Sequence, residues 1–532
     1  MLGEWSGAAP LAGRRDFLAG VGRLGAAALL AVRPEAGPAG PDRPRPDGAV
    51  GREMRGVWIA TVGNIDWPSA PGLPAEQARA EFTAHLDRAV ALGLNAVFVQ
   101  IRPTADAFWP GAPEPWSQWL TGTQGRDPGW DPLAFMVDAA HRRALAFHGW
   151  FNPYRVATQP DPARLAPGHP ARLHPEWIAS YQGGLYYNPG VPAARRFVVE
   201  AMMDAVRRYD LDGVHFDDYF YPYPAPGRAF PDDEAFAAHG SGFTDRAAWR
   251  RHNVDLLIRE MRDLVREARP EAAFGVSPFG IWRNAATDPA GSRTHGTQSY
   301  DDLSADSLGW ARDGLVDYLA PQLYWAIGTE GSDYAELAPW WAARTAGSGT
   351  QLWIGQAVSR VGDPGRPGAW QDPAELSRHL TLNAGLPQIG GNLLWNATSV
   401  WADRLGGVGR MAADHWPRPA LGPLLPRLAA AQAPPRPPLA VPGLDDRGRP
   451  QLVIHPGGPR PEPFQHAVYR YDTHPGPGPR TDPDRLTALL PGRTRRFTVP
   501  TTDGSWYTVT AVDRANRESR PATPVRPSGG LA

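Results

Sequence analysis

Between Arg52 and about Trp416, short apolar runs alternate with longer amphipathic stretches. Eight of the runs read as strands: residues 55–62, 96–101, 144–151, 213–216, 274–277, 318–323, 352–355 and 392–395. They are β-branched or aromatic and are bounded by turn residues. The stretch 74–93 places Phe82, Leu86, Ala89 and Val90 at helical spacing, with proline at its start and glycine at its end. Residues 192–209, 244–269, 301–313, 334–345 and 373–384 read as helices in the same way. Strands that alternate with helices imply parallel pairing through right-handed crossovers. Eight such units predict an α/β fold, a (β/α)8 TIM barrel over residues 52–416 with long inserted loops. An open doubly wound sheet is disfavoured, because Thr61-Val62-Gly63-Asn64 after the first strand is not the glycine-rich turn that binds dinucleotides.

The flanks change character. Residues 417–440, with Pro434-Pro435-Arg436-Pro437-Pro438, read as a semi-rigid proline-rich linker. Short alternating runs at 451–454, 467–471, 496–499 and 507–512 then predict a smaller all-β sandwich over residues 441–528. Its last run, Tyr507-x-Val509-x-Ala511-Val512-Asp513, resembles the late strand of a fibronectin type III domain, with Tyr507 as the tyrosine corner. At the other end, Arg14-Arg15-Asp16-Phe17-Leu18 precedes a small-residue apolar run. This pattern predicts a twin-arginine-type signal over residues 1–39 and a linker over 40–51, and hence export to the cell envelope or beyond. The apolar run is too short and too rich in glycine and alanine for a stable membrane anchor.

Composition removes whole classes of chemistry. The 532 residues include no cysteine, and every basic residue is arginine. Thiolate nucleophiles, disulfides, Schiff bases and phosphate-loop lysines are therefore excluded. The net charge of -1 gives no pull towards nucleic acid or an anionic membrane. No HExxH motif accompanies the 14 scattered histidines, and no GxSxG motif is present, so neither a metal nor another cofactor is expected. Tryptophan is abundant, at 21 residues, and several stand beside predicted strand ends, where flat aromatic faces suit sugar rings.

In a barrel, chemistry collects at the C-terminal ends of the strands. Those ends supply the candidate substrate contacts Asp66, Arg102, Asp106, Trp150, Asn152, Tyr154, His215, Tyr219, Gln322, Tyr324, Trp325, Trp395 and Asn396. This polar and aromatic ring holds few cations and suits a neutral polyhydroxylated ligand. The fourth strand is the most informative. Alternation points His215 and Asp217 to one face, and Asp218 follows where the strand ends. Two adjacent carboxyls beside aromatic rings repel and desolvate each other, so one becomes an acid able to protonate a glycosidic oxygen. Asp217 and Asp218 are thus the candidate catalytic residues. A plainer role for Asp218, capping a loop or holding an arginine, is the alternative, as is a core role for His215. Two mechanisms fit. In one, Asp217 is a nucleophile paired with a second carboxylate, with Asp106 and Glu330 as candidates. In the other, the 2-acetamido group of the sugar attacks, Asp217 orients it and Asp218 is the general acid.

The runs Arg55-Gly56-Val57-Trp58, Gln100-Ile101-Arg102-Pro103-Thr104-Ala105-Asp106-Ala107-Phe108, Trp116-Ser117, Leu120-Thr121-Gly122, Asp212 to Pro222 and Pro321-Gln322-Leu323-Tyr324-Trp325 resemble the glycosyl-hydrolase-like 10 family of exported or lipid-anchored bacterial barrel proteins. The family includes a divisome-localised hydrolase of denuded peptidoglycan. The resemblance therefore implies, as substrate, glycan strands of N-acetylglucosamine and N-acetylmuramic acid stripped of their stem peptides. The missing cysteine departs from the lipid-anchored members. A non-catalytic glycan-binding barrel and a hydrolase of another bacterial polysaccharide are the competing expectations.

Overall fold

The computed structural model describes residues 51–431, 433–458, 462–476, 481–499 and 504–527. The expected signal segment and most of its linker lie outside them.

Eight parallel strands close into a barrel: Met54–Ile59, Ala96–Arg102, Ala146–Phe151, Gly213–Phe216, Ala273–Val276, Tyr318–Leu319, Gln351–Gln356 and Ile389–Leu394. The first strand closes the ring on the eighth, with Met54 opposite Gly391 and Val57 opposite Leu394. The strands are covered on both faces, which is why each reads as a nearly unbroken apolar run. Along the first strand, Val57 and Ile59 pack outwards into the shell shared with the helices, while Met54 and Trp58 point into the lumen. The lumen is filled by Trp58, Phe98, Trp150, Tyr318, Trp353 and Leu393. Such crowding requires small residues beside large ones. A Cβ on Gly213 would lie 2.1 Å from the His148 ring, so only glycine lets the fourth strand approach the third there.

The crossover helices mostly fall where periodicity placed them, at Ala75–Ala91, Pro192–Arg208, Arg246–Ala268, Tyr334–Thr345 and Glu375–Ala384. The helix expected over 301–313 is shorter. It spans Ser307–Arg312 because the Asp306 side chain accepts from Gly309 N and fixes the start there. The helix Pro132–His141, capped by Asp131, was not anticipated. Nor was the small antiparallel sheet of Arg155–Ala157, Ile178–Tyr181 and Gly184–Tyr187 inserted after the third strand.

The C-terminal part is all-β, with two three-stranded antiparallel sheets. One comprises Leu439–Leu444, Pro450–His455 and Arg496–Thr498, the other Leu486–Pro491, Gln465–Tyr471 and Trp506–Val512. The stretch expected to be a spacer is instead packed. Ala420, Leu421, Leu425 and Leu428 are buried, and Leu425, Leu428 and Ala515 join the lumen cluster from below. Arg427 from this stretch grips Asp317 at 2.7 and 2.9 Å, just before the sixth strand.

Candidate active site

The fourth strand ends at Phe216. Asp217 and Asp218 follow at the barrel mouth, each retaining a trace of surface, 7% and 8%. Asn152, from the end of the third strand, donates its amide to Asp217 Oδ2. Gln100, from the second strand, donates to Asn152 Oδ1 at 2.6 Å, and its own carbonyl is held by the Thr61 and Val62 amides at 2.9 Å. The first three strands thereby fix the amide that holds Asp217. Arg155 completes the support: its guanidinium donates to Pro103 O at 2.9 Å, to Asn152 Oδ1 at 3.1 Å and to the Tyr219 hydroxyl. Asp218 Oδ2 accepts from the Tyr223 hydroxyl.

Burial dominates the electrostatics of the pair. Desolvation, then the neighbouring Asp218 charge, pushes Asp217 up to about 8, against the opposing pull of Arg155 and Asn152. Desolvation also raises Asp218, opposed first by the Tyr223 hydroxyl. Two adjacent carboxyls raised in this way titrate as a coupled pair, an arrangement that can supply an acid and a base side by side.

An aromatic wall surrounds them. Trp395 packs edge-on against Trp58 at 6.1 Å and Trp150 at 6.0 Å. Trp325 meets Phe279 edge-on at 5.5 Å, and Tyr223 lies 6.1 Å from both Phe279 and Tyr219. Tyr324 is buried beside the pair, and the charges of Asp218 and Asp217 raise its hydroxyl further after burial. Gln322 donates to Ser277 O at 3.0 Å and also favours the charged form of Asp218.

Six of the expected contacts are placed otherwise. His215 has no exposed surface. The Trp58 indole N–H donates to its Nε2 at 3.0 Å, Ser277 Oγ lies 3.1 Å from the same nitrogen, and Nδ1 faces the Tyr318 hydroxyl at 3.0 Å. Indole N–H only donates, so the ring carries its proton on Nδ1. Burial keeps it neutral. His215 is therefore a lumen residue beneath the carboxyls. Arg102 is fully buried in a two-pronged pair with Glu114, at 2.6 and 2.5 Å, and donates to the carbonyls of Asn152 and Pro153. Asp106, also without exposed surface, accepts from the amide and hydroxyl of Thr104, each at 3.1 Å, and burial pushes it up to about 7. Tyr154 turns outwards into the helical shell, where Arg195 and Glu260 are the charges it feels. Asp66 and Asn396 hold each other at 2.7 Å, and Asp66 also accepts from Ala60 N and Thr398 N at 2.8 Å, which ties the loop after the first strand to the one after the eighth.

Tyr223 had no strand pattern to reveal it. Its only sequence signal is its place in Tyr221-Pro222-Tyr223-Pro224, just past the carboxyls. Among the described residues, no three histidine, aspartate or glutamate side chains gather as a metal ion requires. No helix among them is long and apolar enough to cross a membrane.

Comparison with known proteins relates the chain to one family and to named relatives. Residues 53–371 match the family described as glycosyl hydrolase-like 10. The glycosyl hydrolase YngK of Bacillus subtilis (strain 168) is 42% identical over 477 residues, covering 88% of this chain and 92% of that protein. The glycosyl hydrolase DigH of Escherichia coli (strain K12) is 38% identical over 378 residues, covering 67% of this chain and 86% of its own. Among solved structures, the glycoside hydrolase domain of PgaB (BpsB) from Bordetella bronchiseptica aligns with a TM-score of 0.46 and 15% identity, over 68% of this chain and 98% of that one.

Proposed function

This chain belongs to the glycosyl hydrolase-like 10 family, and from that membership and the carboxyl pair we propose that it hydrolyses glycosidic bonds in cell-wall glycan, with peptide-stripped peptidoglycan as its substrate. The observation that carries the reading is the placement of Asp217 and Asp218, adjacent and desolvated, inside a wall of Trp150, Tyr324, Trp325 and Trp395. A protonated carboxyl there donates to the glycosidic oxygen as the C1–O bond breaks, and the ionised one carries the compensating charge. Desolvation strengthens both effects.

The surroundings favour substrate assistance over a conventional nucleophile. Asp106 is sealed in its loop by Thr104, and Glu330 stands exposed beyond the sixth strand. In the assisted route the acetamide carbonyl oxygen of the sugar attacks C1 and closes an oxazolinium ring, and the ionised carboxyl accepts the acetamide N–H. Water then opens the ring and returns the proton to the acid. Alternating N-acetylated sugars supply that group, which is why we choose peptidoglycan over glycans lacking it. Export rests on the Arg14-Arg15 motif, and we read the C-terminal sandwich as a fibronectin type III-like spacer or binding module on the run from Tyr507 to Asp513.

The test is incubation of the full chain with peptide-stripped peptidoglycan, intact peptidoglycan and unrelated glucans, with released fragments read by mass spectrometry. Release from stripped strands alone, reduced about 10³-fold or more by Asp217→Asn and by Asp218→Asn, is expected. Release from unrelated glucans would point to another polysaccharide. Binding without turnover by the wild type, unaffected by both substitutions, would make the barrel a glycan-binding protein.

A further inference from the structure

The two carboxyls are chemically identical, but their surroundings are not. Asp218 faces three donors: the Tyr223 hydroxyl, its own backbone amide and the Gln322 side-chain amide all favour its charged form. The backbone N–H can only donate, so it casts Asp218 as an acceptor, as does the bond from the Tyr223 hydroxyl. Asp217 has the Asn152 amide on Oδ2, while Oδ1 is buried with no hydrogen-bond partner in the protein. The Trp150 indole N–H, near enough to favour a charge on Asp217, also lacks a formed bond. An unpartnered carboxyl oxygen in a desolvated site is where a proton costs least and where an incoming acceptor is missing.

Tyr223 is held in place from outside the pair. Its carbonyl accepts from Gln182 Nε2 at 2.7 Å. Two residues on, Ala225 N donates to the Tyr181 hydroxyl at 2.8 Å, and that hydroxyl donates to Arg228 O at 3.0 Å. The hairpin inserted after the third strand thus fixes the loop after the fourth, and with it the phenol on Asp218.

We propose that Tyr223 is a positioning residue that keeps Asp218 ionised and so leaves the shared proton on Asp217 Oδ1, making Asp217 the general acid and Asp218 the carboxylate that steers the acetamide. This reverses the roles that the sequence suggested for the two residues in the assisted mechanism. The charged and titratable groups facing the pair are Arg155 from the loop after the third strand, Tyr219 and Tyr223 from the fourth, and Tyr324 from the sixth. Arg155 favours the charged form of both carboxyls and does not by itself choose between them.

The chemical task given to Asp217 rests on the hydrolase reading, but the proton's location does not. Full-length protein labelled with ¹³C at aspartate carboxyls is titrated by NMR, and Asp217→Asn and Asp218→Asn assign the two resonances by their loss. The Asp217 resonance is expected at the protonated position at pH 7, and Tyr223→Phe is expected to raise the titration of Asp218 by about 1–2 pH units. Tyr223→Phe keeps the ring, so an unchanged denaturation midpoint separates loss of the hydroxyl from loss of the fold. A protonated Asp218 at pH 7, or titrations unmoved by Tyr223→Phe, overturns the proposal. With aryl 2-acetamido-2-deoxyglycosides, Asp217→Asn should lose least on the best leaving group, which needs no acid. That pattern appearing in Asp218→Asn instead also overturns it. Wild-type protein that turns over no glycan or aryl glycoside would defeat the hydrolase reading while leaving the NMR result standing.

Discussion

Arg514, in the C-terminal sandwich, donates to Asp212 Oδ1 at 2.9 Å, and Asp212 immediately precedes the barrel strand whose far end carries Asp217 and Asp218. The other Asp212 oxygen accepts from Phe147 N and contacts His141 Nε2, both at 2.7 Å. One carboxylate therefore joins the third strand, the fourth strand and the second domain.

Removing that arginine should cost stability in a pH-dependent way. Burial alone would raise Asp212, but His141 and then Arg514 bring it below its usual 3.8. A depressed folded-state value contributes its stability in full above 3.8, and the contribution is lost as pH falls through the lower folded value. Arg514→Ala should lower the unfolding free energy by about 1–3 kcal/mol at pH 7. Guanidinium denaturation should show that loss shrinking at pH 3, and a pH-independent loss would disprove the linkage.

The Arg102–Glu114 pair, with side chains 0% and 1% exposed, should behave asymmetrically. Glu114→Gln strands a buried guanidinium and should cost about 3–5 kcal/mol. The double replacement Arg102→Met with Glu114→Leu leaves no charge unpaired and should cost less than the single change. Denaturation midpoints of the three proteins decide this, and a double variant weaker than the single would contradict it.

Asp217 should be a stability liability at high pH. Its folded-state value is raised from 3.8 to about 8. The contribution of a raised carboxyl is complete below 3.8 and disappears as pH climbs through the folded value, because the folded state resists the ionisation that the unfolded chain accepts. Asp217→Asn, neutral throughout, should be more stable than wild type at pH 9 by about 1–3 kcal/mol and indistinguishable from it at pH 4. Equal midpoints at pH 9 would show that the carboxyl ionises freely in the fold.

Trp325 is half-buried against Phe279 on the wall of the site. If it is a sugar platform, Trp325→Ala should raise KM for stripped glycan about tenfold while kcat changes little, in line with loss of ~1.4 kcal/mol of stacking. A fall in kcat with KM unchanged would move Trp325 from binding to loop positioning.

The barrel was legible because each of its strands is covered on both sides and is written as a continuous apolar run. Its helices were legible through spacing and end residues. What stayed hidden depended on partners distant in sequence or beyond the regular elements. Asp66 looked available until Asn396, just past the last strand of the barrel in sequence, which is the first strand's neighbour in space, was found bonded to it at 2.7 Å. Arg102 looked like a rim cation until the loop brought Glu114 back against it. Alternation correctly sent His215 inwards but could not say that Trp58, Ser277 and Tyr318 occupy its ring. At Asp218 and Tyr223 the strand had already ended, so no period remained to give a direction. The proline-rich stretch suggested a spacer because its composition hides the few leucines that pack beneath the lumen.

That packing has a consequence for how the chain is made. Leu425, Leu428 and Ala515 close the underside of a lumen whose wall is complete at Leu394. A ribosome therefore finishes the ring well before it releases the residue that seals it. Until Leu425, Leu428 and Ala515 are in place the underside of the lumen lacks this cover, and a protein ended at residue 416 is expected to lack it altogether. Shortening such a chain to its barrel should yield aggregates rather than a smaller folded protein, and the second domain serves the first as a lid on its foundations.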